Sequence, residues 1–479
     1  MITSRRMAAV DENAAALGVP RKQLMESSGN AVAREVRDVA DPGASVAIAA
    51  GRGNNGGDAF VAARFLSAYD VTTQLLGRAE TITTEISREN WEALNECEVD
   101  AREVNDSRDL DFGSPDVIID GLLGTGVSGA PREPEASAIE AINDSEATVV
   151  SVDVPSGMDA DTGDAPGAVV DADRVVTFHD AKPGLENPTV ADIGIPEAAE
   201  LFVGPGDRNV LARDPQAHKG DFGRVTVIGG GPYTGAPALS AQAALRAGAD
   251  LAYVSCPEPV ADRIQGYSED LIVEPFVGTR LQPTHIEELL ERVEERDVVV
   301  FGPGLGDSDD TLRAVEQFLA EYDGRAVVDA DALQVVPEVD TDATLLCTPH
   351  QGELQAMGGE TSDDWRERAD LVESFAADLG HTLLVKGAYD VISDGDRTRV
   401  NRTGNPGMTV GGTGDVLAGV SGALAAVLPV RHAAAVAAYV NGTAGDAVAG
   451  KRGYGLTATD VAEAVPAALW PDGIDGADQ

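Results

Sequence analysis

The chain has 479 residues, 43% of them hydrophobic, which is enough for two or three domains with buried cores and excludes a disordered protein. Asp and Glu number 81 against 35 Lys and Arg, so the formal net charge is −46, and no compact basic patch offsets its repulsion of nucleic acid and of anionic membranes. An acidic surface with so few lysines reads as adaptation to molar salt, where the screening length falls to about 3 Å, and a halophilic source is expected. Among the lysines, Lys182, Lys219 and Lys386 stand out because each adjoins a strand-like run beside a glycine or proline turn, whereas Lys22 and Lys451 read as surface charge. Cys97, Cys256 and Cys347 are far apart and suggest neither a disulfide framework nor a thiolate metal site. Arg5-Arg6 has no apolar run behind it, and the alanine-rich stretch 422–440 is broken by Pro429, Arg431 and His432. A soluble cytoplasmic protein is expected.

Taken in chain order, β-branched runs alternate with helical patterns, which predicts an α/β fold of parallel sheets covered by helices on both faces. The strand candidates in the first half are Ser45-Ala50, Val71-Leu76, Asp116-Asp120, Thr148-Asp153 and Arg174-Phe178. In the second half they are Arg224-Ile228, Leu251-Ser255, Asp297-Phe301, Ala326-Asp329, Thr344-Cys347 and Thr382-Lys386. Val203-Gly204-Pro205-Gly206 and Ala212-Arg213-Asp214-Pro215 interrupt the series, so two domains are expected, 1–212 and 213–479.

Ligands of open α/β sheets bind at the carboxyl ends of the strands, and both halves load those ends with glycine and polar residues. Gly51-Arg52-Gly53-Asn54-Asn55-Gly56-Gly57-Asp58 follows the first strand and enters a helix, a phosphate-binding arrangement that fits neither G-x-G-x-x-G nor a P-loop. Asp120 precedes Gly121-Leu122-Leu123-Gly124-Thr125-Gly126-Val127-Ser128-Gly129, and Asp153 precedes Val154-Pro155-Ser156-Gly157. Either aspartate alone is an ordinary turn former, but three such ends in one domain favour a shared pocket. A set of oxygen ligands without His or Cys suits a hard cation or a polar organic ligand, not zinc.

In the second half the densest signal is Gly411-Gly412-Thr413-Gly414-Asp415. Glycines bring backbone N–H groups close to a phosphate, the following helix adds its positive end, and Asp415 stands where a general base would take the proton of an acceptor hydroxyl. Gly229-Gly230-Gly231, Gly302-Pro303-Gly304-Leu305-Gly306, Thr348-Pro349-His350 and Lys386-Gly387-Ala388-Tyr389-Asp390 follow successive strands and complete the group.

Residues 1–212 resemble the NAD(P)H-hydrate epimerase domain, on Leu24-Met25-Glu26-Ser27-Ser28-Gly29, Gly53 to Asp58, Asp120 to Gly126, Asp153 to Gly157 and Asp192-Ile193-Gly194-Ile195-Pro196. Residues 213–479 resemble the NAD(P)H-hydrate dehydratase domain, which is similar to ribokinase-like kinases. The resemblance implies two three-layer αβα domains, the first Rossmann-like and the second ribokinase-like. It implies contacts to hydrated nucleotide from Asn54, Asn55, Gly56, Gly57, Asp58, Gly124, Thr125, Gly126, Val127, Ser128, Gly129, Ala130 and Asp153, and a potassium ion on Asn55, Asp120 and Ser156. In the second half it implies substrate contacts from Ala236, Gly304 or Gly306, His350 and Asp415, and nucleotide contacts from Lys386, Gly387, Ala388, Tyr389, Asp390 and Gly414. Asp415 is then the base of dehydration and Asp153 the acid/base of epimerisation. NADH hydrate, NADPH hydrate and ADP, with Mg2+, are the small molecules implied, a homo-oligomer is expected, and ADP against ATP stays open. A kinase releasing a stable phosphorylated vitamin or sugar and a non-enzymatic nucleotide sensor are the alternatives, and the sensor explains Asp415 poorly. Ala59 and Thr409 depart mildly from the family pattern, as does Ser28.

Overall fold

The computed structural model describes residues 1–126, 129–211, 213 and 216–471. It divides into two compact units, Met1–Ala199 and Glu200–Gln479. The division falls before residue 212 because the segment after Ala199 pairs with the second sheet: Phe202 bridges Val400, and Arg399 donates to both carboxylate oxygens of Asp207 at 2.8 and 2.9 Å. Glycine and proline at 203–206 point to a linker in the sequence, whereas this buried ion pair ties them into a sheet edge.

The first unit holds seven parallel strands: β1 (Ser45–Ala50), β2 (Asp70–Leu76), β3 (Asp100–Val104), β4 (Val117–Gly121), β5 (Thr148–Val152), β6 (Arg174–Phe178) and β7 (Thr189–Ala191). Their order is β3-β2-β1-β4-β5-β6-β7. Alternate side chains of β1 enter different cores: Val46, Ile48 and Ala50 pack with Val32, Phe60 and Leu94 from helices on one face. Ala47 and Ala49 pack with Ala138, Ile139 and Ile142 of the helix Glu135–Asn143 on the other. A strand buried on both faces has to be apolar throughout, and its sequence is Ser-Val-Ala-Ile-Ala-Ala. The order of strands reverses between β1 and β4, which opens a crevice between their carboxyl ends.

The second unit carries β8 (Arg224–Ile228), β9 (Leu251–Pro257), β10 (Ile272–Phe276), β11 (Val298–Phe301), β12 (Arg325–Val328), β13 (Thr344–Cys347), β14 (Thr382–Val385), β15 (Asp390–Ser393) and β16 (Thr398–Asn401). Their order is β10-β9-β8-β11-β12-β13-β14-β15-β16, parallel through β14 and antiparallel for the last two. Val298 and Val300 of β11 face a core made with the alanine-rich helices Gly235–Arg246, Thr413–Val427 and Val430–Arg452. Val299 and Phe301 face the helices Ile286–Val293 and Asp309–Glu321. Alanine and glycine are needed on the first face because its helices nearly touch: a Cβ on Gly419 would lie 2.0 Å from the carbonyl oxygen of Ser240. Those helices are core elements, and no helix among the described residues is long and apolar enough to cross a membrane. The switch of strand order lies between β8 and β11.

Candidate functional site

In the first unit the crevice is built by close backbone approach. Gly51 follows β1 so near the turn after β4 that a Cβ there would sit 1.8 Å from the Leu122 carbonyl oxygen, and one on Gly56 would sit 2.0 Å from the carbonyl oxygen of Gly51. This crowding seats the helix Asn54–Phe65 with its first turn, Asn54 to Asp58, over the switch point. Asn54 is exposed and accepts from the Thr84 hydroxyl at 2.9 Å, whereas Asn55 to Asp58 are buried.

Asn55 donates to the carbonyls of Leu123 (3.0 Å) and Val152 (2.7 Å), which fastens the loops after β4 and β5 together. Asp120, fully buried at the end of β4, accepts from the hydroxyls of Ser151 (2.8 Å) and Ser156 (2.6 Å) and from the backbone N–H of Ser156 (2.9 Å). Burial pushes its carboxyl above the ordinary range, and these donors oppose the shift. Asn55 and Ser156 meet at the Leu123 carbonyl, which accepts from Asn55 Nδ2 at 3.0 Å and from the Ser156 hydroxyl at 3.3 Å, and Ser156 links on to Asp120. Gly124, Thr125 and Gly126 follow on the same loop, with Gly124 against the Asn55 side chain. Gly129 has φ +86° and is exposed, as is Ala130. Val127 and Ser128 lie outside the described residues.

Asp153 has φ +63°, the left-handed region that a non-glycine residue adopts only when its surroundings impose it. Its Oδ1 takes the Thr177 hydroxyl at 2.9 Å and the Lys182 ammonium at 3.0 Å. Asp58 lies near, and so does Asp11 of the helix Ser4–Ala16, whose carboxyl is pushed up to about 6, chiefly by burial. Asp11 was not legible as a site residue, since one acidic residue in an amphipathic helix looks like solvated surface. Lys182 had a signal in the scarcity of lysine.

In the second unit the loops after β8 and β11 meet. A Cβ on Gly304 (φ +73°) would press on the Tyr233 carbonyl at 2.7 Å, and one on Gly306 (φ +78°) would reach Pro232 at 3.1 Å, so both glycines border the turn that carries Ala236. Ala236 opens the helix Gly235–Arg246, and Ser240 one turn on donates to the Asp415 backbone carbonyl at 2.9 Å. The helix Thr413–Val427 is capped by Gly412 at φ +99°, with Asp415 in its first turn, half-buried. Burial and the charge of Asp329 push the Asp415 carboxyl up to about 7, and Lys386 pulls it down.

Lys386 follows β14 and is the cation of this cluster. Its ammonium lies 3.0 Å from Asp329 Oδ1 and 3.7 Å from Glu353, and 3.5 Å from where a Cβ on Gly414 would stand. Asp329, at the end of β12, also takes the Thr348 hydroxyl at 2.7 Å. Sequence reading ends a strand at Asp329 and gives it no role. His350 joins the helix Gln351–Ala356 as its cap: Nδ1 accepts from the Glu353 N–H at 3.0 Å, and the ring is 60% exposed. The loop Lys386 to Asp390 is shaped from within by Asp390, which accepts from Gly387 N–H and from Asn401, both at 2.9 Å, and burial pushes its carboxyl up to about 6. Tyr389 stacks on Trp365, and Gly387 and Ala388 are exposed.

Residues 225–467 match the family model described as NAD(P)H-hydrate dehydratase, and residues 21–184 match that of the YjeF-related protein N-terminus. The bifunctional NAD(P)H-hydrate repair enzyme Nnr of Methanothermobacter thermautotrophicus is 44% identical over 97% of this chain and 94% of its own. That of Pyrobaculum aerophilum is 45% identical over 97% of both chains. Among solved structures, a ribokinase-like superfamily protein of Enterococcus faecalis is similar at 26% identity and TM-score 0.50, over 56% of this chain and 95% of that one. The ADP/ATP-dependent NAD(P)H-hydrate dehydratase of Bacillus subtilis, co-crystallised with ATP and Mg2+, is similar at 25% identity and TM-score 0.50, over 57% of this chain and 98% of that one. The second unit is therefore ribokinase-like, and the parallel sheet of the first is consistent with a Rossmann-like fold. With both family models in order along one chain and relatives of this identity over nearly its whole length, the chain belongs to the family of bifunctional NAD(P)H-hydrate repair enzymes.

Proposed function

We propose that this protein restores NADH and NADPH from their hydrates, interconverting the R and S forms in the first unit and dehydrating the S form with ADP in the second. The observation that carries the reading is Asp415, a half-buried carboxylate at a glycine-capped helix N-terminus beside Lys386, in a chain aligned from end to end with bifunctional repair enzymes. Direct loss of the C6 hydroxyl expels hydroxide, the conjugate base of a group with pKa about 15.7. Phosphorylation replaces it with phosphate, whose second pKa is about 6. Asp415 takes the proton of the C6 hydroxyl as the oxygen attacks the terminal phosphoryl of ADP and AMP departs. The ring nitrogen then expels phosphate, and loss of a C5 proton restores the 5,6 double bond. Backbone N–H groups of 411–414 and the Lys386 ammonium stabilise the charge on the transferring phosphoryl. Ala236, Gly304 or Gly306 and His350 border the hydrate, and Gly387 to Asp390 with Gly414 border the nucleotide, taken with Mg2+.

In the first unit Asn54 to Asp58, Gly124 to Ala130 and Asp153 hold the hydrate. Around Asp120, a buried carboxylate that meets no cation among the described residues, stand the Ser151 and Ser156 hydroxyls and, through Asn55, the Leu123 and Val152 carbonyls, an oxygen-rich setting that supports potassium. When bound, the ion supplies positive potential that orients the nucleotide. A cytosolic, halophilic setting and a homo-oligomer complete the reading. Mixed hydrate epimers with ADP should give NADH absorbance and free phosphate, and a stable phosphorylated product would sink the reading.

A further inference from the structure

The carboxyls of Asp58 and Asp153 share the crevice of the first unit but sit in opposite surroundings. Lys182 is fully buried, and its ammonium meets Asp153 Oδ1 (3.0 Å), the Thr177 hydroxyl (3.1 Å) and the Phe178 carbonyl (3.0 Å), so its three protons are committed. The Thr177 hydroxyl and, at 3.4 Å, the Phe178 N–H converge on the same Oδ1. No donor among the described residues reaches Oδ2. Asp58 is 7% exposed, and no cation or hydrogen-bond donor among the described residues meets its carboxyl. We propose that the two carboxyls are an unlike acid/base pair for epimerisation, with Asp58 the proton donor, Asp153 Oδ2 the acceptor, and Lys182 a positioning residue that clamps Oδ1. Asp11 is the further charge acting on Asp58, Lys182 is the cation on Asp153, and Arg21, Asp153, Lys182 and His179 act in turn on Asp11. Burial, then the charges of Asp153 and Asp11, push the Asp58 carboxyl well above the ordinary range.

This inference rests on the proposed repair of hydrates. The C6 carbon bearing a hydroxyl beside the ring nitrogen is a hemiaminal, which opens and closes by proton transfer. Asp153 takes the hydroxyl proton, the O–H pair becomes the carbonyl bond, the C6–N1 pair stays on nitrogen, and Asp58 protonates that nitrogen. Rotation about C5–C6 followed by the reverse transfers closes the ring on the other face. Atoms and charge balance without a further reactant, and both side chains return to their first state.

The test follows interconversion of purified R and S hydrates by chromatography against pH, using the full chain and its Asp58→Asn, Lys182→Met and Lys182→Arg forms, with circular dichroism for folding. Asp58→Asn should lose about 10²–10⁴ in rate together with the alkaline fall of the profile. Lys182→Met should lower kcat at least tenfold with KM little changed, because Asp153 Oδ1 loses its clamp, and Lys182→Arg should restore kcat in part. Folded variants with an unchanged rate and profile would overturn the pairing. If instead the unaltered protein fails to interconvert the epimers, it is the function proposed for the first unit that falls. Should Lys182→Met not fold, the Asp58→Asn profile alone decides.

Discussion

Replacement of Asp415 by asparagine separates its chemical role from its place in the fold, because the amide keeps the shape and loses the base. With the carboxyl pushed up to about 7, about one-tenth of it is ionised at pH 6 and about nine-tenths at pH 8, so dehydration by the unaltered protein should rise about tenfold across that window. Asp415→Asn should lower dehydration about 10²–10⁴-fold and leave a flat profile, with nucleotide still bound. Stability should move the other way. A carboxyl whose pKa is higher folded than unfolded stabilises the fold fully below about pH 4 and loses that contribution as pH rises through about 7. The span from 3.8 to about 7 sets a ceiling of about 4 kcal/mol, which solvent at the half-buried side chain reduces to about 1–3 kcal/mol. The Asp415→Asn protein should therefore melt higher than the parent at pH 8 and about equally at pH 4. Stopped assays of NADH recovery and calorimetry at both pH values check this. Retained turnover in the variant, or a parent rate independent of pH between 6 and 8, would refute the reasoning.

Lys386→Met removes the cation that holds Asp415 down and leaves the buried Asp329 with the Thr348 hydroxyl but no cation, so it should slow dehydration by at least tenfold and shift its acid limb upward; steady-state kinetics against pH would show both. Gly56→Ala drives a Cβ to 2.0 Å from the Gly51 carbonyl and should destabilise the first unit by about 2 kcal/mol or more while dehydration of pure S hydrate persists, as separate assays of the two activities would report. Asp120→Ala strips four protein donors of their acceptor and should abolish epimerisation and its response to potassium, measured by exchanging KCl for a larger organic cation. The net charge of −46 predicts a melting temperature that rises by several degrees from dilute buffer to molar KCl.

Asp120, Asp153 and Lys386 were legible because each closes an apolar, β-branched run beside glycine or proline, and Asp415 because it follows a glycine-rich turn into a helix; both signals are written locally. Strands β3, β7 and β10 were not legible for the converse reason. They are sheet edges or near-edges, and Asp-Ala-Arg-Glu-Val and Ile-Val-Glu-Pro-Phe carry charge or proline where a central strand would be apolar. The short pair β15 and β16 folds antiparallel on β14, with Asp390 tied to Asn401 across the ladder. Asp11 and Asp329 gained their places from tertiary neighbours distant in sequence, Asp153 in one case and Lys386 in the other. Nothing within a few residues of either announces that meeting.

The most direct measurement supplies the purified protein with a single R epimer of NADH hydrate and ADP, and follows absorbance, phosphate and AMP together. Conversion of the whole pool to NADH, with one phosphate and one AMP per molecule, is the expected result, and in Asp153→Ala it should stall at the rate of spontaneous epimerisation. Consumption of ADP without recovered NADH would contradict the account.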